Sequence, residues 1–308
     1  MEEKFFDKIL GTMFGVAVGD ALGAPLEFMS VKAIRQQYGI VRDMIGGGWL
    51  NVQPGEFTDD TQMTLAVAKG IVEKPESPIE SIGAQFVKWY SSHPKDIGGT
   101  CASSISNAIR RAVDTTRPSA TDWTIAAKET DRALFGRSAG NGSLMRTAYI
   151  GTYYNYIRTV HQRAIGISRM THYNIGAAND CAAYSKMIYC LVRENNLNAI
   201  KLYAQSVGYK TDELSDLSFK PNPSGYIRDS FATALHCIYT THSFEEAVTK
   251  AVNFGGDADT IGAITGGLAG ALYGYDSIPK RWASCIAFED RNDIYRLCID
   301  AATNEGGI

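Results

Sequence analysis

The sequence has no excess of charge of either sign. Its 308 residues carry 30 lysines and arginines against 33 aspartates and glutamates, a formal net charge of -3. It therefore lacks the positive field that would attract nucleic acid or an anionic membrane surface. The N-terminus has acids where a signal peptide has basic residues, and no uninterrupted apolar run approaches the roughly 18 residues that span a bilayer. We expect a soluble, cytoplasmic protein with no nucleic-acid or membrane partner.

Cysteine and histidine are few and lack the spacing of metal-binding motifs. The six cysteines include no Cys-x-x-Cys pair, and the five histidines include no His-Glu-x-x-His pair. A disulfide framework or a zinc site is therefore not expected, and the thiols are most simply buried. Any metal ion would have to be held by oxygen ligands.

Alternating apolar and polar runs bounded by hairpin turns are also missing, and helical spacing of apolar residues takes their place. No composition shift or repeat divides the chain, so we predict one all-α domain over residues 1–308. Ser243, with Glu246 three residues later, is typical of a capping box at a helix start. The predicted helices are 5–21, 61–72, 79–90, 101–113, 177–192, 226–240, 244–252 and 260–273.

The first predicted helix contains glycines at intervals of four, at Gly11, Gly15 and Gly19. Glycine lowers helix stability, so this spacing indicates a helix packed very closely against a neighbour. Asp20 lies in the same apolar segment, where it is either a functional acid or a buried structural acceptor.

Two acidic clusters precede predicted helices, one at residues 58–61 and the other at 255–260. Taken singly, acids at these positions serve as helix caps and suit the positive end of the helix dipole. Together the clusters hold more oxygen atoms than caps need. If the two helix starts meet, the carboxylates would repel one another unless a cation lay between them. Oxygen ligands of this kind suit Mg²⁺ or Mn²⁺ better than zinc.

The sequence resembles the ADP-ribosylglycohydrolase family, a family of all-α hydrolases, over essentially its whole length. The resemblance rests on five short motifs in the family's order, at 19–27, 58–61, 140–146, 171–172 and 255–262. It implies a single domain with a cleft that holds two Mg²⁺ or Mn²⁺ ions. Glu27, by itself a plain loop acid, matches the family's mobile acid at the metals. The implied metal ligands are Thr58, Asp59, Asp60, Asp257, Asp259 and Thr260.

ADP-ribose offers a diphosphate and a distal ribose, and two glycine-containing loops are candidates for them. Residues 138–143 would make an ordinary turn on their own, but the resemblance favours a diphosphate site built from backbone amides. His172 is implied to contact the distal ribose or the phosphates, and Trp49 belongs either to the cleft entrance or to the core. The predicted substrate-binding residues are Ser138, Gly140, Asn141, Gly142, Ser143 and His172, with Gly98, Gly99 and Thr100 as the second loop.

The activity implied by the resemblance is metal-dependent release of ADP-ribose from modified protein side chains, with arginine as the favoured linkage. A carboxyl group near the metals would supply a proton to the leaving group, and Glu27, Asp59 and Asp96 are unranked candidates. Serine-linked or small-molecule ADP-ribose conjugates are alternatives. So are a non-catalytic ADP-ribose reader and a partner that blocks an ADP-ribosyltransferase toxin. A cognate ADP-ribosyltransferase, or its target protein, is a further expected partner.

Overall fold

Helices form the regular structure of residues 3–304, the part of the chain that the computed structural model describes. No sheet forms in this range, where extended pairing is confined to isolated bridges such as Ser30 with Gly255. The predicted all-α fold is confirmed. The α-helices are α1 (Glu3–Gly23), α2 (Val31–Gln37), α3 (Asp59–Glu73), α4 (Ile79–Ser91), α5 (Gly99–Arg111), α6 (Ala120–Ala133), α7 (Ala148–Tyr153), α8 (Ile157–Ser168), α9 (Ile175–Arg193), α10 (Asn198–Ser206), α11 (Thr211–Leu214), α12 (Ile227–Tyr239), α13 (Phe244–Val252), α14 (Ala258–Tyr273), α15 (Lys280–Ala283) and α16 (Phe288–Thr303).

Every helix predicted from apolar spacing is present, with ends displaced by at most two residues. The starts of α3 and α14 move toward the N-terminus because both helices include acids of the two clusters in their first turns. The capping box at α13 is only half formed. Ser243 accepts the Glu246 N–H, but the Glu246 carboxylate accepts from the backbone of His242 and not from that of Ser243.

Helices α1 and α14 run antiparallel in very close contact. A methyl group on Gly15 would lie 2.1 Å from the carbonyl oxygen of Gly266, and one on Gly19 would lie 2.0 Å from that of Gly262. The close packing predicted from the glycine spacing is therefore confirmed. The main hydrophobic core is continuous, and it includes buried side chains from α1, beginning with Ile9, to α16. The consequence for the site is that the C-terminal end of α1 lies beside the start of α14.

The segment Glu3–Leu26 is long and apolar enough to cross a membrane when only length and composition are considered, with a mean hydropathy of 1.5. The sequence prediction counted only uninterrupted apolar runs and therefore missed it. The whole apolar window is buried inside the protein. Packing against α14 and the rest of the core accounts for its apolar character.

Candidate active site

Asp20 joins the end of α1 to the start of α3. Its carboxylate is completely buried and accepts hydrogen bonds from the backbone N–H and the hydroxyl of both Thr58 and Thr61, over 2.6–3.1 Å. Burial raises the pKa of Asp20 to about 6, although the hydrogen bonds act in the opposite direction. Of the two roles open from the sequence, the structure therefore supports the buried acceptor. Asp20 fixes the first turn of α3, which carries Asp59 and Asp60.

Two glycines shape the backbone that leads into α14. Gly255 and Gly256 have φ values of 66° and 62°, a region that favours glycine. A methyl group on Gly256 would lie 1.9 Å from the carbonyl oxygen of Pro223, while the Phe28 N–H donates to the Gly256 carbonyl at 2.6 Å. The second acidic cluster is thereby held against the loop that follows α1, and Asp257 is placed at the N-cap of α14.

The two acidic clusters meet, which is the step that the sequence left open. The Thr260 hydroxyl of α14 lies 3.3 Å from Asp60 Oδ2 of α3. Carboxylate oxygens of Glu27, Asp257 and Asp259 lie within 4.8 Å of one another. Because Mg²⁺ and Ca²⁺ bind oxygen at roughly 2.0 to 2.6 Å, one ion of this kind could contact all three carboxylates.

These acids border a cleft of about 390 Å³. Thr58 and Asp60 lie just behind its wall, where both are buried. The three predicted proton-transfer candidates all line the cleft, as do most of the predicted substrate-binding residues. The predicted residues in its lining are Glu27, Asp59, Asp96, Gly98, Gly99, Thr100, Gly140, Asn141, Gly142, His172, Asp257, Asp259 and Thr260.

Two predicted substrate-binding residues do not line the cleft. The Ser138 hydroxyl is buried and donates to Asp131 at 2.5 Å, and the Ser143 hydroxyl is buried against the Cys181 thiol at 3.5 Å. Both side chains hold the loop in place. The sequence did not separate these anchoring hydroxyls from the neighbouring glycines, which do face the cleft.

The two candidate phosphate loops lead into different backbone structures. Residues Asn141–Ser143 form a short 3-10 turn, and the next α-helix begins only at Ala148, so no α-helix starts directly after this loop. Gly98 and Gly99, in contrast, stand at the beginning of α5, a 13-residue helix. The dipole of α5 therefore favours an anion at the loop of Gly98 and Gly99. The loop at residues 138–143 is linked to the acids instead, because the Asn141 side chain donates a hydrogen bond to Asp257 at 2.7 Å.

Aromatic side chains flank the acids at the cleft. Trp49 Nε1 donates to Glu27 Oε2 at 2.6 Å, and its ring packs against Phe28 with centroids 5.4 Å apart. Both rings line the cleft and are more than half exposed, at 54% and 71%. Of the two places open for Trp49, the structure supports the cleft. Phe28 was missed, and its only sequence signal is its position next to Glu27.

Burial and mutual repulsion raise the pKa of the clustered carboxyl groups. Burial is the largest cause for Asp59, Asp60 and Asp259, whose pKa values rise well above the ordinary range, and neighbouring carboxylates add to it. The pKa of Glu27 rises to about 7, mainly through burial and then through Asp96 and Asp257, against the hydrogen bond from the tryptophan. The cluster is therefore costly to ionise without a counter-charge.

A metal ion fits this donor set. Asp60 Oδ1 is buried, and no hydrogen-bond partner for it is present among residues 3–304. A buried acceptor without a partner is costly, and a cation beside it would remove that cost. The surrounding carboxylate and hydroxyl oxygens are the ligands of hard cations, so the residues present agree with the oxygen-ligated site predicted from the sequence.

Without a metal ion, the protein is expected to lose stability as the pH rises from about 4 to about 7. Carboxyl groups whose folded pKa is raised stabilise the fold fully below their unfolded pKa, near 4. That contribution is lost as the pH rises through the folded pKa, which is about 7 for Glu27. A bound divalent ion reverses the effect by balancing the charge. Melting temperatures in EDTA and in Mg²⁺ or Mn²⁺ should therefore diverge with rising pH, and a constant difference would contradict the prediction.

The comparisons with known proteins agree with this geometry. A sequence profile of the ADP-ribosylglycohydrolase family matches residues 1–307. ADP-ribosyl-[dinitrogen reductase] glycohydrolase from Rhodospirillum rubrum is 35% identical over 304 residues, which cover 98% of this chain and 97% of that enzyme. ADP-ribosylarginine hydrolase Tri1 from Serratia proteamaculans (strain 568) is 28% identical over 306 residues, covering 94% of this chain and 78% of that one.

The fold is shared as well. A solved structure named ADP-ribosylglycohydrolase-related protein complex superposes with a TM-score of 0.76 at 27% sequence identity, covering 97% of this chain and 98% of the other. The two acidic clusters, the loop glycines and the whole-length match all point to the same family. The chain therefore belongs to the ADP-ribosylglycohydrolase family, a family of metal-dependent hydrolases, and is an ADP-ribosylglycohydrolase.

Proposed function

We propose that the protein removes ADP-ribose from arginine side chains of modified proteins, with two Mg²⁺ or Mn²⁺ ions held between α3 and α14. The observation that carries the proposal is the meeting of the two acidic clusters. The Thr260 hydroxyl lies 3.3 Å from Asp60 Oδ2, and Asp60 Oδ1 is buried with no hydrogen-bond partner among residues 3–304. If these acids were only helix caps, nothing would offset the repulsion between their carboxylates. A cation offsets its repulsion and gives the site a chemical role.

The arginine linkage is supported by the activity for which two similar proteins are named. The ADP-ribosylarginine hydrolases Tri1 from Serratia proteamaculans and Pseudomonas putida (strain GB-1) are 28% and 27% identical to this chain. ADP-ribosylhydrolase ARH3 from Gallus gallus is less similar, at 24%. A cognate ADP-ribosyltransferase or its target protein as a partner, and the cytoplasmic location, stay predictions.

The metal ions would be held by side chains from the first turns of α3 and α14 and the residues just before them. Bound there, they supply Lewis-acid chemistry to ribose hydroxyls and to a water molecule. The residues that would hold them are Thr58, Asp59, Asp60, Asp257, Asp259 and Thr260.

Asp96 is the carboxyl group best placed to move a proton. It lines the cleft, and burial followed by the charge of Asp257 raises its pKa. Asp59 is assigned to the metals, and Glu27 lies among the metal-binding acids, so neither keeps a proton easily beside a cation. An arginine leaving group needs a proton as the ribose bond breaks, and a general acid with a raised pKa can supply it.

The test offers arginine-linked and serine-linked ADP-ribosylated proteins side by side, with Mg²⁺, with Mn²⁺ and with EDTA. We expect loss of ADP-ribose from the arginine-linked protein alone, dependent on the metal ion. Asp96→Asn should slow this loss while leaving ADP-ribose binding largely intact. Release from the serine-linked protein instead would refute the linkage. ADP-ribose binding without release from either would favour a reader.

A further inference from the structure

Arg146 is a completely buried arginine whose hydrogen-bond partners are neutral. Its guanidinium donates to the carbonyl oxygens of Gly142 and Ile167, both at 3.1 Å, and to the Thr171 hydroxyl at 2.7 Å. The Phe86 ring lies 4.9 Å away from it. Within residues 3–304 no carboxylate forms an ion pair with this guanidinium. Burying a charge without an opposite charge beside it is costly. We therefore expect Arg146 to hold other residues of the protein in place.

Thr171 connects this arginine to His172. Arginine can only donate, so the Thr171 oxygen accepts in the bond between them. The hydroxyl keeps one hydrogen, and Nδ1 of His172 lies 2.7 Å from its oxygen. The Cys101 thiol is also near Thr171, but sulfur is a weak acceptor. Because the Thr171 oxygen already accepts from Arg146, its hydroxyl hydrogen is available to Nδ1, and donated there it leaves the ring's own hydrogen on Nε2.

Nε2 of His172 faces the loop glycines of the cleft. A methyl group on Gly140 would lie 3.2 Å from Nε2, and one on Gly142 would lie 3.6 Å from it. Burial, reinforced by the charge of Arg146, lowers the pKa of His172 to about 3. The ring is therefore neutral at ordinary pH, and its tautomer decides whether the cleft meets a donor or an acceptor.

We propose that Arg146 and Thr171 are positioning residues that hold His172 in its Nε2–H tautomer, as a fixed hydrogen-bond donor to the ligand. The inference rests on the proposed function, in which the cleft binds ADP-ribose. A donor beside Gly140 and Gly142 suits a phosphate oxygen, which has no hydrogen to give. A ring that exchanged tautomers would present a lone pair to that oxygen part of the time.

The test reads the tautomer directly by NMR of protein labelled with ¹⁵N-histidine. We expect the His172 ring, identified by its loss in His172→Gln, to show protonated Nε2 and unprotonated Nδ1 with no titration between about pH 5 and about pH 8. Thr171→Val keeps the side-chain shape and removes the hydroxyl hydrogen. It should produce a mixture of tautomers and raise KM for the ADP-ribosylated protein about tenfold, with a smaller change in kcat.

The matched variants separate positioning from general stability. Thr171→Ser restores the hydroxyl and should restore both the tautomer and KM. Thr152→Val removes another completely buried threonine hydroxyl, which donates to the Tyr149 carbonyl at 2.8 Å in α7, and should change neither. Arg146 forms hydrogen bonds with several segments, and its replacement is expected to unfold the protein. The test is therefore made by substituting Thr171.

A wild-type ring protonated at Nδ1 would overturn the proposal, and so would an unchanged tautomer in Thr171→Val. If that variant does not fold, the tautomers of the wild-type protein and of Thr171→Ser decide the question. A wild-type protein that shows the Nε2–H pattern but hydrolyses no ADP-ribosylated protein would refute the proposed function and leave this inference standing.

Discussion

Asp60→Asn and Asp257→Asn are each expected to lower hydrolysis by roughly 100-fold or more, since even residues that only support metal ligands cost about 10–100-fold. An amide is a poorer ligand than a carboxylate and carries no charge to balance an ion. The double variant should be little worse than either single variant, because residues that act as one unit are not additive. Turnover with and without added Mg²⁺ and Mn²⁺ measures this.

The stability of the same variants distinguishes a metal site from helix caps. Each substitution removes one of the mutually repelling carboxylates, so the metal-free variants should melt no lower than the metal-free wild type. Asp290→Asn is the control, because Asp290 is a partly buried acid in the first turn of α16 and lines a separate cavity of about 820 Å³. Full activity in Asp257→Asn, or additive stability losses in metal-free protein, would rule out the metal site.

Asp20→Ala is expected to lower the free energy of unfolding by about 3 kcal/mol or more, with or without metal ions. The substitution leaves the N–H groups of Thr58 and Thr61 and the Thr61 hydroxyl without an acceptor in a buried place. Activity should fall as well, because the first turn of α3 loses its anchor to α1. Chemical denaturation in EDTA and in Mg²⁺ measures the effect.

The surface provides a matched control for Asp20. Asp114 accepts the N–H and the hydroxyl of Thr116 at 2.9 and 2.6 Å, so it makes the same kind of bonds while exposed to water. Water can replace those bonds, and Asp114→Ala should change stability little. If Asp20→Ala were destabilising only when Mg²⁺ is present, Asp20 would act through the metal ion and not as a structural acceptor.

Local patterns in the sequence were sufficient to predict eight of the sixteen α-helices described in residues 3–304, together with the acids. The spacing in α13 predicted both of its ends, and the acids predicted as two clusters lie at the starts of α3 and α14. α16 was overlooked because charged residues surround its apolar face of Ile294, Leu297, Cys298 and Ala301. Its spacing, at three and four residues, carried the signal.

The meeting of the two clusters could not be derived from either cluster alone. It depends on which helix pairs with α1, and that is a property of the whole chain. One unused signal was present: Gly262, Gly266 and Gly270 repeat at the same interval as the glycines of α1. Two glycine faces with equal spacing suit each other sterically. The hydrogen bonds of Asp20 and the anchoring roles of Ser138 and Ser143 depend on side-chain directions, which the sequence does not contain.

The pairing of α1 with α14 also determines when the protein can fold. During synthesis, Gly262 leaves the ribosome more than two hundred residues after Gly19. At about 5–20 residues per second, the apolar α1 segment then waits roughly 10 to 50 s for its partner. Because that segment is apolar enough to resemble a membrane span, the nascent chain leaves a large apolar surface without its partner helix throughout this interval. The two acidic clusters come together only when α14 has been made, so no chain that ends before α14 can assemble the site.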